Sequence, residues 1–222
     1  EEAEALIASR KFHPWEGGEG KITGQYTICH VELAKIALRE HRYADALALL
    51  QATDQYPYNL GEGKLINAEE NDIWYYKGLA YRGLGDEENA KLWLHKATQG
   101  SAEPQQAFFY NDAQPDKIFY QGLALLKLNR MDEANGRFHK LTTYGEKHLF
   151  DKVKMDYFAV SLPDLLIWED DLTIRNVIHC KYMMALGYWG LNEKEKSVRL
   201  LSEVERLDIN HQGIQAFRSL IG

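Results

Sequence analysis

Small residues recur at Ala46, Ala90, Ala134 and Ser197, at steps of 44, 44 and 63 residues, and each stands in the same frame of larger ones. Around Ala90 the frame reads Trp74, Gly78, Tyr81, Ala90, Leu94 and Ala97. The next unit gives Ile118, Gly122, Leu125, Ala134, Phe138 and Leu141, and the preceding one gives Ala34, Ala37, Ala46 and Leu50. A fourth unit keeps Ala185, Tyr188, Ser197, Leu201 and Val204, with Lys181 at a position that is large and apolar in the second and third. A fixed period of this size marks a stack of identical supersecondary units, none of which can bury its apolar face alone. Within each unit, small residues let two helices approach closely while large ones fill the groove between stacked pairs. The short connections carry Gly85-Asp86, Asn129-Arg130 or Asn192-Glu193, a helix stop followed by an N-cap.

This is the tetratricopeptide (TPR) pattern, with large and small residues at positions 4, 8, 11, 20, 24 and 27 of a two-helix unit. The expected fold is all-α, a TPR-like α-solenoid of stacked helix hairpins with long inter-repeat loops. Repeats are expected near 27–56, 71–99, 115–142 and 178–208, with an insert near 144–175 and a C-terminal capping helix near 211–220. Residues 1–13 match 44–56 at an offset of 43, Ala3 falling on Ala46 and Pro14 on Pro57. They read as the second helix of a truncated repeat, so the chain is expected to be a fragment of a longer protein.

Composition narrows the function. A net charge of −7 and a pI near 5.6, without a clustered basic surface, oppose nucleic acid as a partner. No apolar stretch reaches the length of a membrane span, and no secretory leader is visible. The two cysteines, Cys29 and Cys180, both fall at position 3 of their repeats and read as core thiols of a reducing compartment. Their neighbours His30 and His179 point about 100° away along a helix, so neither pair forms a catalytic dyad.

The repeat exceeds the usual TPR length by about ten residues, and the register places the excess between hairpins, along one edge. Two of these loops are near copies, one ending Gly18-Glu19-Gly20-Lys21 and the other Gly61-Glu62-Gly63-Lys64. Each is either a structural turn or a candidate anion-binding nest of backbone amides. A Walker loop is excluded, since the distal Gly and the following Ser or Thr are both missing. The third loop leads into Asp116, well placed to favour a helix N-terminus. The long insert carries Glu146, His148 and Asp151, then Asp156, Asp164 and Trp168. No recognised metal-ligand spacing is present, so no metal and no cofactor are expected.

In a TPR stack the first helix of each hairpin lines the concave face. Position 2 is Ile28, Asp72, Asp116 and His179, and position 5 is Val31, Tyr75, Phe119 and Tyr182; Lys35, Arg39, Arg82, Lys127 and Trp189 lie deeper. Aromatics mixed with both signs of charge suit a protein partner, and the expected contact set is Asp72, Tyr75, Arg82, Asp116, Phe119, Lys127, His179, Tyr182 and Trp189. Groove aromatics packed into the core are the alternative. The groove that clamps a C-terminal carboxylate has Lys at position 5 and Asn at position 9 of its first unit. Val31 and Lys35 stand there instead, which opposes that mode.

Four strings are more specific than the repeat: Gly61 to Leu65, Asp116 to Ala124, Tyr144 to Asp151 and Asp156 to Asp164. They resemble the C-terminal TPR region of large bacterial proteins of unknown function whose preceding part carries a β-sandwich similar to sugar mutarotases. The resemblance covers nearly the whole chain. It implies a cytoplasmic protein associated with carbohydrate metabolism and carries no catalytic residue onto this segment. The leading expectation is a noncatalytic scaffold that binds protein, foremost the N-terminal region of the same polypeptide. The rival is a saccharide site, in which groove carboxylates and aromatics contact a sugar.

Overall fold

The computed structural model describes residues 2–13, 18–106, 114–153 and 171–221. Among them the α-helices are α1 (Glu2–Ser9), α2 (Lys21–Arg39), α3 (Tyr43–Ala52), α4 (Asn71–Gly83), α5 (Glu87–Lys96), α6 (Pro115–Lys127), α7 (Met131–His148), α8 (Leu172–Gly190), α9 (Lys194–Leu207) and α10 (Gln212–Ile221). A single 3-10 turn covers Tyr58–Leu60 and no strand occurs among the described residues. The fold is all-α.

Four turns join α2 to α3, α4 to α5, α6 to α7 and α8 to α9, and they are built alike. Each places one residue in the left-handed region: His41 at φ 59°, Gly85 at 80°, Asn129 at 60° and Asn192 at 65°. The next amide then reaches back to a helix carbonyl, Arg42 to Ala37 at 2.8 Å, Asp86 to Tyr81 at 2.9 Å, Arg130 to Leu125 at 2.9 Å and Glu193 to Tyr188 at 2.8 Å. This is the Schellman closure, which satisfies carbonyls that a helix end leaves unpaired. Gly85, Asn129 and Asn192 follow the expected turn chemistry. His41 does the same, histidine being with Asn and Asp one of the side chains enriched in this region, and its ring is tied to the Tyr43 hydroxyl at 2.7 Å.

Each hairpin packs on the next. The second helix of one touches the first helix of the following one, and α2, α4, α6 and α8 also meet in succession. The marker residues Ala46, Ala90, Ala134 and Ser197 are all fully buried. Their partners across the hairpin are equally tight: a Cβ on Gly78 would lie 2.7 Å from Leu94 Cγ, and one on Gly122 would lie 2.3 Å from the Phe138 ring. Ser197 donates its hydroxyl to the Ala185 carbonyl at 2.7 Å, so a polar residue fills a small-residue position without an unpaired group.

Three helices depart from the expected bounds. α2 begins at Lys21, inside the first Gly-Glu-Gly-Lys string, so residues 22–26 are helix rather than loop. α7 runs on to His148 and α8 begins at Leu172; both ends of the expected insert are therefore helical. Asp171 caps α8 by accepting from the amides of Thr173 and Ile174. Asp156, Asp164 and Trp168 lie outside the described residues.

Candidate interaction face

The last helix determines what the first helices can present. In α10, Ile214 and Phe217 are spaced by one turn and are 1% and 3% exposed. Burying two such side chains contributes roughly 3–6 kcal/mol before entropy is counted. Phe217 packs on Phe119 of α6 with ring centroids 5.8 Å apart and on Trp189 of α8 at 5.1 Å, edge to face. At the start of the helix, Gly213 approaches the Tyr182 ring so closely that a Cβ would lie 2.5 Å away. His211, just before it, stacks on the same ring at 4.7 Å.

The other end of α10 reaches the first hairpin. Lys35 of α2 donates to the Ala216 carbonyl at 2.9 Å, to Ser219 Oγ at 3.0 Å and to Glu32 at 2.6 Å. Arg39 donates to the Ser219 carbonyl at 2.6 Å. Two cations thus sit at the negative end of the α10 dipole, where positive charge is favourable. The helix spans α2, α6 and α8, contacting residues about 180 positions earlier in the chain. It covers the face of first helices instead of simply ending the stack.

This burial changes how the expected contact residues are read. Tyr75 is 5% exposed, Phe119 fully buried and Tyr182 7% exposed, so all three are core side chains in this state. Phe119, Tyr182 and Trp189 converge on α10, whereas Tyr75 belongs to a ring cluster with Tyr76 and Tyr120. Burial pushes the Tyr75 phenol up to about 12. Arg82 turns to Glu87 at 3.4 Å, Lys127 is exposed, and His179 donates Nε2–H to the Gln105 carbonyl at 2.8 Å.

Asp72 and Asp116 flank Lys117, which the frame had not singled out. The Lys117 ammonium lies 2.6 Å from Asp72. Burial alone would lower Lys117, but the attraction of both carboxylates and the Asp72 hydrogen bond carry it above the ordinary lysine value. Burial raises Asp116, partly opposed by Lys117, and burial raises the hydroxyls of Tyr76, Tyr120 and Tyr182 as well. The Tyr76 and Tyr120 hydroxyls bond each other at 2.9 Å. The arrangement is a closed charge cluster. Two clefts, about 450 and 310 Å³, lie elsewhere, one beside Trp93, His95 and Lys96 and the other between Asp54, Lys64, Glu70 and Trp74; neither is lined by Asp72 or Asp116.

The paired glycine loops meet each other. Glu62 of the second accepts the Gly20 amide of the first at 2.9 Å and the Thr23 hydroxyl at 3.4 Å, placing a carboxylate at the N-terminus of α2. Gly20, just before α2, and Gly61, closing the 3-10 turn, hold φ of 75° and 80°, a backbone that glycine adopts at no steric cost. Gly18 is buried, Glu19 is half-buried and the Lys21 amide donates to the Gly18 carbonyl at 3.2 Å. Beyond Gly63, where a Cβ would meet only open space, Lys64 pairs with Glu70 at 2.5 Å and donates to the Thr53 carbonyl at 2.7 Å. An external anion at Gly20 would therefore have to displace the chain's own carboxylate.

Several buried polar side chains have no signature in the repeat. Asn71 donates to the carbonyls of Ala97 and Gln99, Gln121 to those of Gln99 and Ser101, and Asn176 to that of His148. All serve carbonyls at or just past the ends of second helices. Lys77, fully buried, pairs with both oxygens of Asp54 at 2.6 and 2.8 Å beneath the Trp93 ring. Cys29 and Cys180 are free thiols, and burial raises Cys180 to about 11. Among the described residues no group of three or more His, Cys, Asp or Glu is placed to hold a metal, and no helix is long and apolar enough to cross a membrane. The chain matches no model of a known protein family.

Proposed function

We propose that this chain is a TPR-like α-solenoid acting as a noncatalytic interaction module, and that its working surface is the face of first helices α2, α6 and α8. One observation carries the reading: a helix is already held there, by an aromatic anchor on Phe119 and Trp189 and by Lys35 and Arg39 at its C-terminal end. A buried aromatic anchor ringed by polar contacts is how protein interfaces concentrate their affinity. The partner is a protein, foremost the N-terminal region that the resemblance of the loop strings implies for the same polypeptide. The resemblance of the loop strings supports a bacterial, cytoplasmic setting in carbohydrate metabolism.

The test is a pull-down with the wild-type chain beside Lys35→Glu and Trp189→Ala, against that N-terminal region and a lysate. Capture by wild type that either variant alters supports the reading; no capture by any of the three counts against it. Tyr75→Ala and Phe119→Ala make poorer probes, because truncating buried rings costs about 3–5 kcal/mol of stability.

A saccharide site remains the second reading. It is favoured by Asp116, a carboxyl that burial raises beside the Lys117–Asp72 ion pair, since a carboxyl kept protonated by its surroundings can act as a general acid. Oligosaccharide binding that Asp116→Asn abolishes would support it, and a flat titration would oppose it.

A further inference from the structure

α10 differs from the other helices in how it is held. Every first helix has a second helix closed against it through a short turn and a small-residue contact. α10 has none: it leaves α9 through Asp208–His211 and rests on helices from three hairpins. Only Ile214 and Phe217 among its described side chains are fully withdrawn from solvent. Its remaining ties are the half-buried Leu220 against the two cores, Gly213 against the Tyr182 ring, and a few polar contacts: Lys35 and Arg39 on its last carbonyls, Ser219 Oγ 2.6 Å from Glu32, and an outward ion pair of Arg218 with Glu205 at 2.8 Å. The connection is a local turn that can open without unwinding α9. Asp208 accepts from the Asn210 and His211 amides, and His211 Nδ1 accepts from Ile214. Ile209, in that turn, is 76% exposed.

Beneath α10 the receptor face stays organised by its own hairpins. Phe119 packs on Phe138 within its hairpin at 5.9 Å, and Lys35 pairs with Glu32 one turn away. Lifting α10 would leave an aromatic slot between α6 and α8 and, at the α2 end, a cation pair aimed at helix carbonyls. Such a surface selects a short amphipathic helix with an aromatic anchor, an aliphatic residue one turn before it, and free carbonyls at its C-terminal end.

We propose that α10 is an exchangeable occupant, and that a helix of this pattern from a partner protein takes its place on α2, α6 and α8. The inference rests on the interaction-module reading and adds what is bound and what must leave. A tethered helix competes at an effective concentration of order millimolar, so a free peptide binds the closed chain poorly and a partner that opens it must itself be held nearby.

The test uses the full chain, a fluorescent peptide with the sequence of residues 208–222, and the variants Phe217→Ala and Ser219→Glu. The second variant removes no core atom; it breaks the Ser219 hydroxyl's bond to Glu32 and forces a longer, like-charged side chain into the space that Ser219 shares with Glu32 and Lys35. Hydrogen exchange should show α10 amides opening at least about tenfold faster than those of α6 and α8 in wild type. The peptide should bind either variant at least about tenfold more tightly than wild type, and adding Lys35→Glu should abolish that gain. Exchange of α10 together with α6 and α8 in wild type and in Ser219→Glu would overturn the proposal. So would a released α10 with no peptide binding, or a Phe217→Ala chain that no longer folds. Equal capture of a partner by wild type and both variants would leave the interaction reading standing and remove only the exchange.

Discussion

Gly122 shows how little room the repeat leaves at single positions. It faces the Phe138 ring within its hairpin, and an added methyl would lie 2.3 Å from that ring and must push it, although the ring itself packs on Phe119. Gly122→Ala is expected to lower unfolding stability by about 1–3 kcal/mol through overpacking, measured by urea denaturation; an unchanged midpoint would mean the ring has space to move. Glu62 is a second such position. Its carboxylate holds the Gly20 amide, so Glu62→Ala should cost about 0.5–2 kcal/mol and speed exchange of the first amides of α2. A variant indistinguishable from wild type would restore the loop as an unoccupied anion nest. The residue scale is also where the sequence is least informative. Buried Asn71, Gln121 and Lys77 look like ordinary surface types until the carbonyls and the carboxylate they serve are placed beside them. Tyr75 and Phe119 mislead in the opposite direction, because rings that line a groove and rings that fill a core are the same residues at the same spacing.

At the scale of elements, the hairpins are the most legible part of the chain. The marker spacing that opens the sequence reading returns in the turns, since His41, Gly85, Asn129 and Asn192 recur at the same steps. Only His41 escapes prediction, as left-handed turns are recognised by Gly or Asn. Helix ends are less legible: α2 and α8 run past the repeat bounds where Glu62 and Asp171 cap their first amides, and α7 runs on to His148, whose carbonyl accepts from Asn176. α10 is recognisable as a helix, but a docking site some 180 residues away has no local signal. Its attachment carries a pH dependence. Burial lowers His211 and His179 below the ordinary value of 6.5, with Asp208 partly opposing this at His211 and His211 itself adding to it at His179. A depressed histidine disfavours protonation in the folded state, so stability holds above pH 6.5 and falls as pH drops below it toward the lowered folded values. Protonation at Nδ1 also removes the acceptor for the Ile214 amide. Hydrogen exchange should therefore show α10 loosening between pH 7.5 and about pH 5.5, with His211→Gln flattening the change. A slope unaffected by that substitution would assign it to other groups.

For the whole molecule, the stack of hairpins and the long-range return of α10 together decide whether the first helices offer a surface or are closed by the chain itself. The two principal cores belong to the first and second pairs of hairpins, and Leu220 of α10 packs on both. The interaction account depends on this closure, since it defines both the face and the chemistry of what fits there. It is tested most directly by solution NMR of the uniformly labelled full chain. Ring cross-peaks of Phe217 to Phe119 and Trp189 are expected, matching centroid distances of 5.8 and 5.1 Å, and Phe217→Ala should shift Lys35 and Arg39 while leaving the α4–α5 hairpin unchanged. A Phe217 ring with no cross-peak to either partner would place α10 elsewhere and contradict the account.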